Sequence, residues 1–171
     1  MAAAYMALVG RSNEAARLAR AGRLREAEAL LRDVLRRQPA AGFDALSVAL
    51  TQFELGAVLR QLGRLDEALA LLEPALETRD RADEAAGIRI ALRDGNLTRE
   101  EIAKVHEARG DCARALETRA EGRRICANEA CEALDHADKL KFCTRCHAVY
   151  YCSKVCQRQD WKRHGAFCKA P

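Results

Sequence analysis

The chain has 171 residues, 49% hydrophobic and 32% charged, with a formal net charge of +4. That length suits one ordinary domain plus a small one, and no apolar run approaches the roughly 20 residues that cross a bilayer. The opening Met1–Val9 lacks a basic n-region and is only briefly apolar, so no signal peptide is expected, and the address is read as intracellular, cytoplasmic or nuclear.

From residue 1 to about 120 the chain is rich in Ala, Leu, Arg and Glu, with apolar residues at helical spacing. Leu24, Ala27, Leu30, Leu31 and Val34 form one stripe; Leu65, Ala68, Leu69, Leu72 and Ala75 form another. The same order recurs around both: Leu18, Gly22, Leu24, Ala27 and Leu31, then Leu59, Gly63, Leu65, Ala68 and Leu72. A helix ending at a glycine, with a new helix two residues later, predicts a tight hairpin, and Ala27 or Ala68 admits close helix approach. This pattern resembles the tetratricopeptide repeat, with Gly56 in the first helix of copy two and Pro39 ending copy one. A third, poorer copy runs from Lys104 through Gly110 and Cys112 to Ala115, its helix expected to begin at the capping box Thr98-Arg99-Glu100-Glu101. The glycines stand 41 and 47 residues apart, against about 34 in a regular array, so Thr78–Glu84 and Arg93–Asn96 are read as inserted loops. Some repeats of this kind hold a partner's C-terminal carboxylate with Lys and Asn. The matching positions are Ser12 and Ala16, then Phe53 and Ala57, so that clamp is absent, and the concave face is read as apolar or Arg-bearing (Arg60).

Near Ala120–Arg124 the helical pattern stops and cysteines begin, dividing the chain into a helical scaffold (1–122) and a small module (123–171). Seven of the eight cysteines fall in 43 residues, as Cys126-x4-Cys131-x11-Cys143-x2-Cys146-x5-Cys152-x3-Cys156-x7-His164-x3-Cys168. Eight soft ligands in four local pairs make two tetrahedral sites, and thiolates with at most one imidazole per site indicate closed, structural zinc rather than a catalytic ion. A module this short, with few large apolar side chains, is expected to be unfolded without the metal. The remaining histidines are read as non-ligands: His147 in a solvent-facing loop, His136 and His106 on the surface. Cys112 is read as a half-buried thiol of the third hairpin turn.

Spacing leaves three ways to group the pairs. Cys143-Thr-Arg-Cys146, Tyr151-Cys152-Ser-Lys-Val-Cys156-Gln157, Asp160-Trp161 and His164-Gly-Ala-Phe-Cys168 resemble the MYND-type zinc finger over about 43 residues. The resemblance implies interleaved sites: Cys126, Cys131, Cys152 and Cys156 for one, Cys143, Cys146, His164 and Cys168 for the other. The x4 spacing of the first pair departs from the more usual two. RING and PHD fingers also interleave, but their single His lies mid-ladder, whereas His164 is seventh of eight. The fold expected is mostly α, a helical-hairpin repeat region followed by a small two-zinc finger.

Ser153 is a plausible N-cap for a helix to His164 that sets Gln157 and Trp161, four apart, on one face. Similar fingers bind short proline-containing peptides on a groove lined by the matching Trp and Gln and bordered by the residue after the third cysteine. The resemblance thus implies Thr144, Gln157 and Trp161 as peptide contacts; the alternative is that Trp161 fills the core between the zincs. The chain is read as a protein–protein adaptor and not an enzyme, having no nucleophile–base pair or phosphate loop. A second reading is nucleic-acid binding through Arg123, Arg124, Lys139, Lys141, Arg145, Lys154, Arg158, Lys162 and Arg163. Residues 121–171 do carry ten basic against six acidic side chains. Seven thiolates around two Zn²⁺ would, however, lower the chain from +4 to +1, which weakens the case for a polyanion. Membrane partners are not expected, and the sequence does not set the oligomeric state.

Overall fold

Three glycines set the helical architecture. Gly22, Gly63 and Gly110 adopt left-handed backbone conformations (φ 76°, 78° and 78°), which a residue without Cβ reaches at no steric cost. Their N–H groups donate to the carbonyls of Ala19, Arg60 and Glu107 at 3.0, 2.9 and 2.8 Å. The next N–H in each case reaches Leu18, Leu59 or His106 at 2.9 Å. One turn is thus built three times, including in the copy whose sequence match is poorest, and the following helix begins at Leu24, Leu65 or Cys112.

The structure, a computed structural model, describes residues 2–85, 93–120, 125–131 and 140–169. Helices α1 (Ala2–Arg20) and α2 (Leu24–Arg37) form the first hairpin, α3 (Ala45–Gln61) and α4 (Leu65–Ala85) the second, α5 (Arg93–Ala108) and α6 (Cys112–Ala120) the third. Between α2 and α3, Pro39–Ala41 makes one 3-10 turn, and Asp44 caps α3 by accepting the Ser47 N–H at 2.7 Å. Strands β1 (Lys141–Phe142) and β2 (Tyr150–Tyr151) pair antiparallel, Lys141 opposite Tyr151 and Phe142 opposite Tyr150, before α7 (Lys154–His164). Among the described residues no helix is long and apolar enough to cross a membrane.

The chain divides into two compact units, Met1–Ala82 and Asp83–Pro171. In the first, Ala27, Leu31 and Val34 of α2, Leu55 and Leu59 of α3, and Ala68, Leu72 and Ala75 of α4 are buried. Gly56 lets α3 and α4 approach: a Cβ built on it would lie 2.6 Å from Leu72 Cγ and 3.3 Å from the Ala68 carbonyl. Glu54, half-buried on α3, has its carboxyl pushed up to about 7 by burial, against the pull of Arg20 and Arg79.

Two sequence expectations fail here. Thr78–Glu84 is the last part of α4, because the segment has no breaker: the Thr78 hydroxyl donates to the Pro74 carbonyl at 2.9 Å and Arg81 pairs with Glu77. Arg93–Asn96 is the first turn of α5, which puts Thr98 inside that helix rather than at its cap. Burial decides this, since Asn96, Thr98 and Glu100 are all nearly inaccessible to solvent. Part of the long glycine spacing is therefore absorbed in the 21 residues of α4. The 122/123 division lies outside the described residues.

In the second unit α5 and α6 belong with the cysteine-rich module. Leu116 and Cys112 of α6 pack against a buried cluster made of Cys126, Ala127, Cys143, Cys146, Ala148, Val149, Tyr151, Cys156 and Cys168.

Gly56→Ala should destabilise the first unit by about 1–3 kcal/mol through overpacking. Gly10→Ala, with nothing within 4 Å of the new methyl, should be neutral or mildly stabilising; urea unfolding of both separates the two effects. Because the folded carboxyl of Glu54 binds its proton more tightly than an unfolded one, its contribution favours folding below about pH 4.5 and is lost as pH rises toward 7. Glu54→Gln should flatten that decline and stabilise the unit at neutral pH by on the order of 1 kcal/mol, given the partial exposure. Amide exchange in α3 from pH 5 to 8 checks it.

Candidate metal centre

Short local devices aim each ligand pair. Asn128 turns the chain between Cys126 and Cys131: its carbonyl accepts the Cys131 N–H at 2.8 Å and its side-chain oxygen the Ala130 N–H at 3.2 Å. Cys152 follows β2, and Cys156 lies in the first turn of α7, where its N–H reaches the Ser153 hydroxyl at 3.2 Å. Ser153 is extended (φ −155°, ψ 162°) and caps the helix. Cys143 and Cys146 share a knuckle closed by the His147 N–H on the Cys143 carbonyl at 2.8 Å, with His147 at φ 56°. His164 ends α7, and the Cys168 N–H returns to its carbonyl at 2.9 Å.

The ladder collects into two groups, Cys126, Cys131, Cys152 and Cys156, and Cys143, Cys146, His164 and Cys168, with the ligand atoms of each all within 4.8 Å of one another. Cys131–Cys152, Cys152–Cys156 and Cys143–Cys168 sulfurs are 3.6, 3.4 and 3.7 Å apart, and Cys146 Sγ lies 3.5 Å from His164 Nε2. Tetrahedral zinc with Zn–S bonds of about 2.3 Å gives edges of about 3.8 Å, so the ligands already stand close to the corners such an ion needs. A disulfide would require about 2.05 Å.

The donor set also fits zinc electrostatically. Burial pushes the Cys126 and Cys146 thiols up, Cys146 to about 12, and neighbouring thiolates oppose their ionisation further. Asn128 and Ser153 draw Cys156 down to about 7. A cation between such thiols would favour the thiolate form of all of them. Burial lowers the His164 imidazole below its ordinary value, the direction that favours the neutral form a ligand needs, and its Nε2 lies on the sulfur side. The second group is buried throughout, whereas in the first Cys126 is buried and Cys131 and Cys152 are partly exposed.

A cleft of about 600 Å³ along α7 is lined by Lys154, Gln157, Arg158 and Trp161. Trp161 is 46% exposed rather than filling the core, and its ring stands edge-on to His164 with centroids 6.0 Å apart. Gly165 makes room for the indole: a Cβ there would come within 3.0 Å of its Cε2. Thr144 is exposed on the Cys143–Cys146 knuckle and is not among the residues lining the cleft.

Other sequence readings divide. His147 is exposed, and Cys112 lies outside both ligand groups, its thiol 3.9 Å from the Phe167 carbonyl. His106, expected at the surface, is buried in α5. Arg163 is no solvated cation either, since it pairs with Glu107 and Asp160. His136, Arg123, Arg124 and Lys139 lie outside the described residues. Sequence reasoning missed a buried set around Arg119, Glu100 and Glu107; the seven-residue separation of the two glutamates, on one face of α5, was the available signal.

Comparison with known proteins agrees with this geometry. Residues 126–168 match the family model of the MYND finger, and residues 48–82, spanning most of α3 and α4, match a tetratricopeptide repeat. Human Egl nine homolog 1 is 44% identical over 39 residues, and SET domain-containing protein 14 of Caenorhabditis elegans 46% over 39. Histone-lysine N-methyltransferase ASHR1 of Arabidopsis thaliana is 40% identical over 40 residues. Each match takes in 23% of this chain and only 8 or 9% of the relative, so the chain spans less than a tenth of the length of these relatives. No solved structure matches. The chain thus carries a zinc-binding, protein-interaction finger behind helical repeats, both modules of a typically non-catalytic kind.

Native mass spectrometry at neutral pH under reducing conditions should find two zinc ions per chain. A chelator should remove both and abolish amide protection in residues 140–168, because structural zinc supplies the folding free energy of such modules. One ion, or protection that outlasts the metal, would contradict the two-site arrangement.

Proposed function

We propose that the chain is a zinc-dependent adaptor whose finger binds a short proline-containing peptide along α7, the helical repeats serving as scaffold or second interaction surface. Cys126, Cys131, Cys152 and Cys156 are the ligands of one ion, and Cys143, Cys146, His164 and Cys168 those of the other. The helical region ends near residue 122. The observation that carries the reading is the half-exposed Trp161, the only tryptophan of the chain, beside Gln157 in one cleft. An indole face packs on proline rings, a glutamine amide pairs with peptide backbone, and proline's preset shape lowers the cost of ordering the ligand. Lys154 and Arg158 make the rest of the lining cationic, which complements a carboxylate beside the proline. Thr144 is assigned to the edge of the same surface. The setting that keeps these cysteines reduced is intracellular, cytoplasmic or nuclear.

The nucleic-acid reading loses ground because Arg163 is committed to Glu107 and Asp160. No base-reading helix arrangement supports it. Catalysis named for the methyltransferase relative belongs to that protein; only a finger-length segment is shared.

Tryptophan fluorescence reports binding directly, since Trp161 has no competitor. A panel of proline-containing peptides should quench or shift it with micromolar affinity, and Trp161→Ala should weaken binding, read by calorimetry, at least about tenfold. Zinc content should stay at two. Loss of zinc in that variant would make Trp161 a structural residue, and no response across the panel would remove the peptide reading.

A further inference from the structure

The segment matched to the finger ends at residue 126 on its N-terminal side, yet a set of deeply buried ion pairs in the second unit reaches back beyond it. Arg119 of α6 is 4% exposed. Its Nε and Nη2 donate to the two oxygens of Glu100 at 2.7 Å each, and its Nη1 donates to the Ala148 carbonyl at 2.6 Å. Nη2 also lies 2.8 Å from Glu107 Oε1. Glu107, 1% exposed, accepts Arg163 Nη1 on its other oxygen at 2.7 Å. Arg163 Nε and Nη2 hold both oxygens of Asp160 at 2.8 and 2.7 Å, and Asp160 accepts the Tyr151 hydroxyl at 2.8 Å. The two glutamates and Arg119 come from α5 and α6; Ala148, Arg163 and Tyr151 come from the finger.

The finger ends of this network all stand beside ligands. Ala148 is two residues after Cys146, Arg163 immediately precedes His164, and Tyr151 immediately precedes Cys152. Charged groups this deeply buried are tolerated only when fully paired, and removing one partner leaves an uncompensated charge in a dry site. Ligand orientation in metal centres depends on such outer partners.

We infer that the α5–α6 hairpin is the outer shell of the metal centre, with Glu107 a positioning residue that sets His164 through Arg163, so that zinc binding and folding of this hairpin are one cooperative event. The inference rests on the two-zinc reading and extends it to residues that no finger match includes. Zinc loss would then be felt in the last helical hairpin, which gives the adaptor a route by which metal occupancy alters its helical surface.

The test uses the full-length, zinc-loaded chain. Transfer of zinc to a chromogenic chelator should be about 10–100-fold faster in Glu107→Gln than in the wild type. Glu117→Gln, the same change at an exposed site on α6, should release zinc at the wild-type rate. In the double variant Glu107→Gln/Arg163→Gln, release should be no faster than in the faster single variant, because the two residues act as one unit. Independently of any variant, chelation of the wild type should strip amide protection from α5 and α6 together with α7. Zinc release unchanged in Glu107→Gln, additive effects in the double variant, or α5–α6 protection that survives chelation would each overturn the inference while leaving the two zinc sites standing. A wild-type chain that binds no zinc would overturn both.

Discussion

Five of the nine residues in the buried cluster of the C-terminal module are cysteines of the ligand ladder: Cys126, Cys143, Cys146, Cys156 and Cys168. A core of thiols, two alanines, a valine and a tyrosine removes too little apolar surface from water to offset the ordering of some 40 residues. Burial and neighbouring thiolates oppose ionisation at Cys126 and Cys146. A divalent cation reverses both deficits at once, supplying bond energy and turning mutual repulsion into shared attraction. Every other feature of the module is arranged around that requirement. The two-residue strands, the Asn128 turn, the Ser153 cap and the left-handed His147 each do little alone, and each fixes one ligand pair.

The helical hairpin that precedes the module meets the same shortage differently. Where an ordinary domain would continue its apolar core, α5 and α6 present two glutamates and an arginine to the finger, and all three are almost fully buried. Such pairs add little net stability compared with well-packed hydrophobic side chains, but they tolerate few alternative registers, because any slip leaves a charge unpaired. Buried ion pairs that favour one register would complement metal bonds in a module with so small a core.

What was legible in the sequence follows the same physics. Gly22, Gly63 and Gly110 could be read as hairpin turns because a left-handed residue without Cβ is nearly obligatory there. The cysteines could be read as candidate ligands from their spacing, although spacing could not say which pairs would share an ion; that reading came from the likeness to a known finger. Helix ends were harder. Thr78–Glu84 and Arg93–Asn96 carry the charged and polar residues that serve equally in a loop and on a helix, and burial of Asn96 and Thr98 is a tertiary fact with no local signature. His106 and Arg163 were read as surface residues for a related reason. A charged side chain on a helix defaults to solvent unless its partner is known, and the partner of Arg163 lies 56 positions earlier, at Glu107.

Helix α7 carries residues of both candidate metal groups and of the cleft. At about 100° per residue, Cys156, Asp160 and His164 fall on one arc of the helix, and all three are buried. Gln157, Trp161, Lys154 and Arg158 fall on the adjoining arc and line the cleft. One helix therefore carries two candidate ligands, one from each group, and a carboxylate of the buried network, with an exposed aromatic face beside them. Trp161 is flanked by His164, edge-on with centroids 6.0 Å apart, and by Gly165, whose missing Cβ leaves room for the indole. For the proposed peptide, Trp161 would supply the main aromatic contact, and a ligand with a preset shape would lower the cost of ordering.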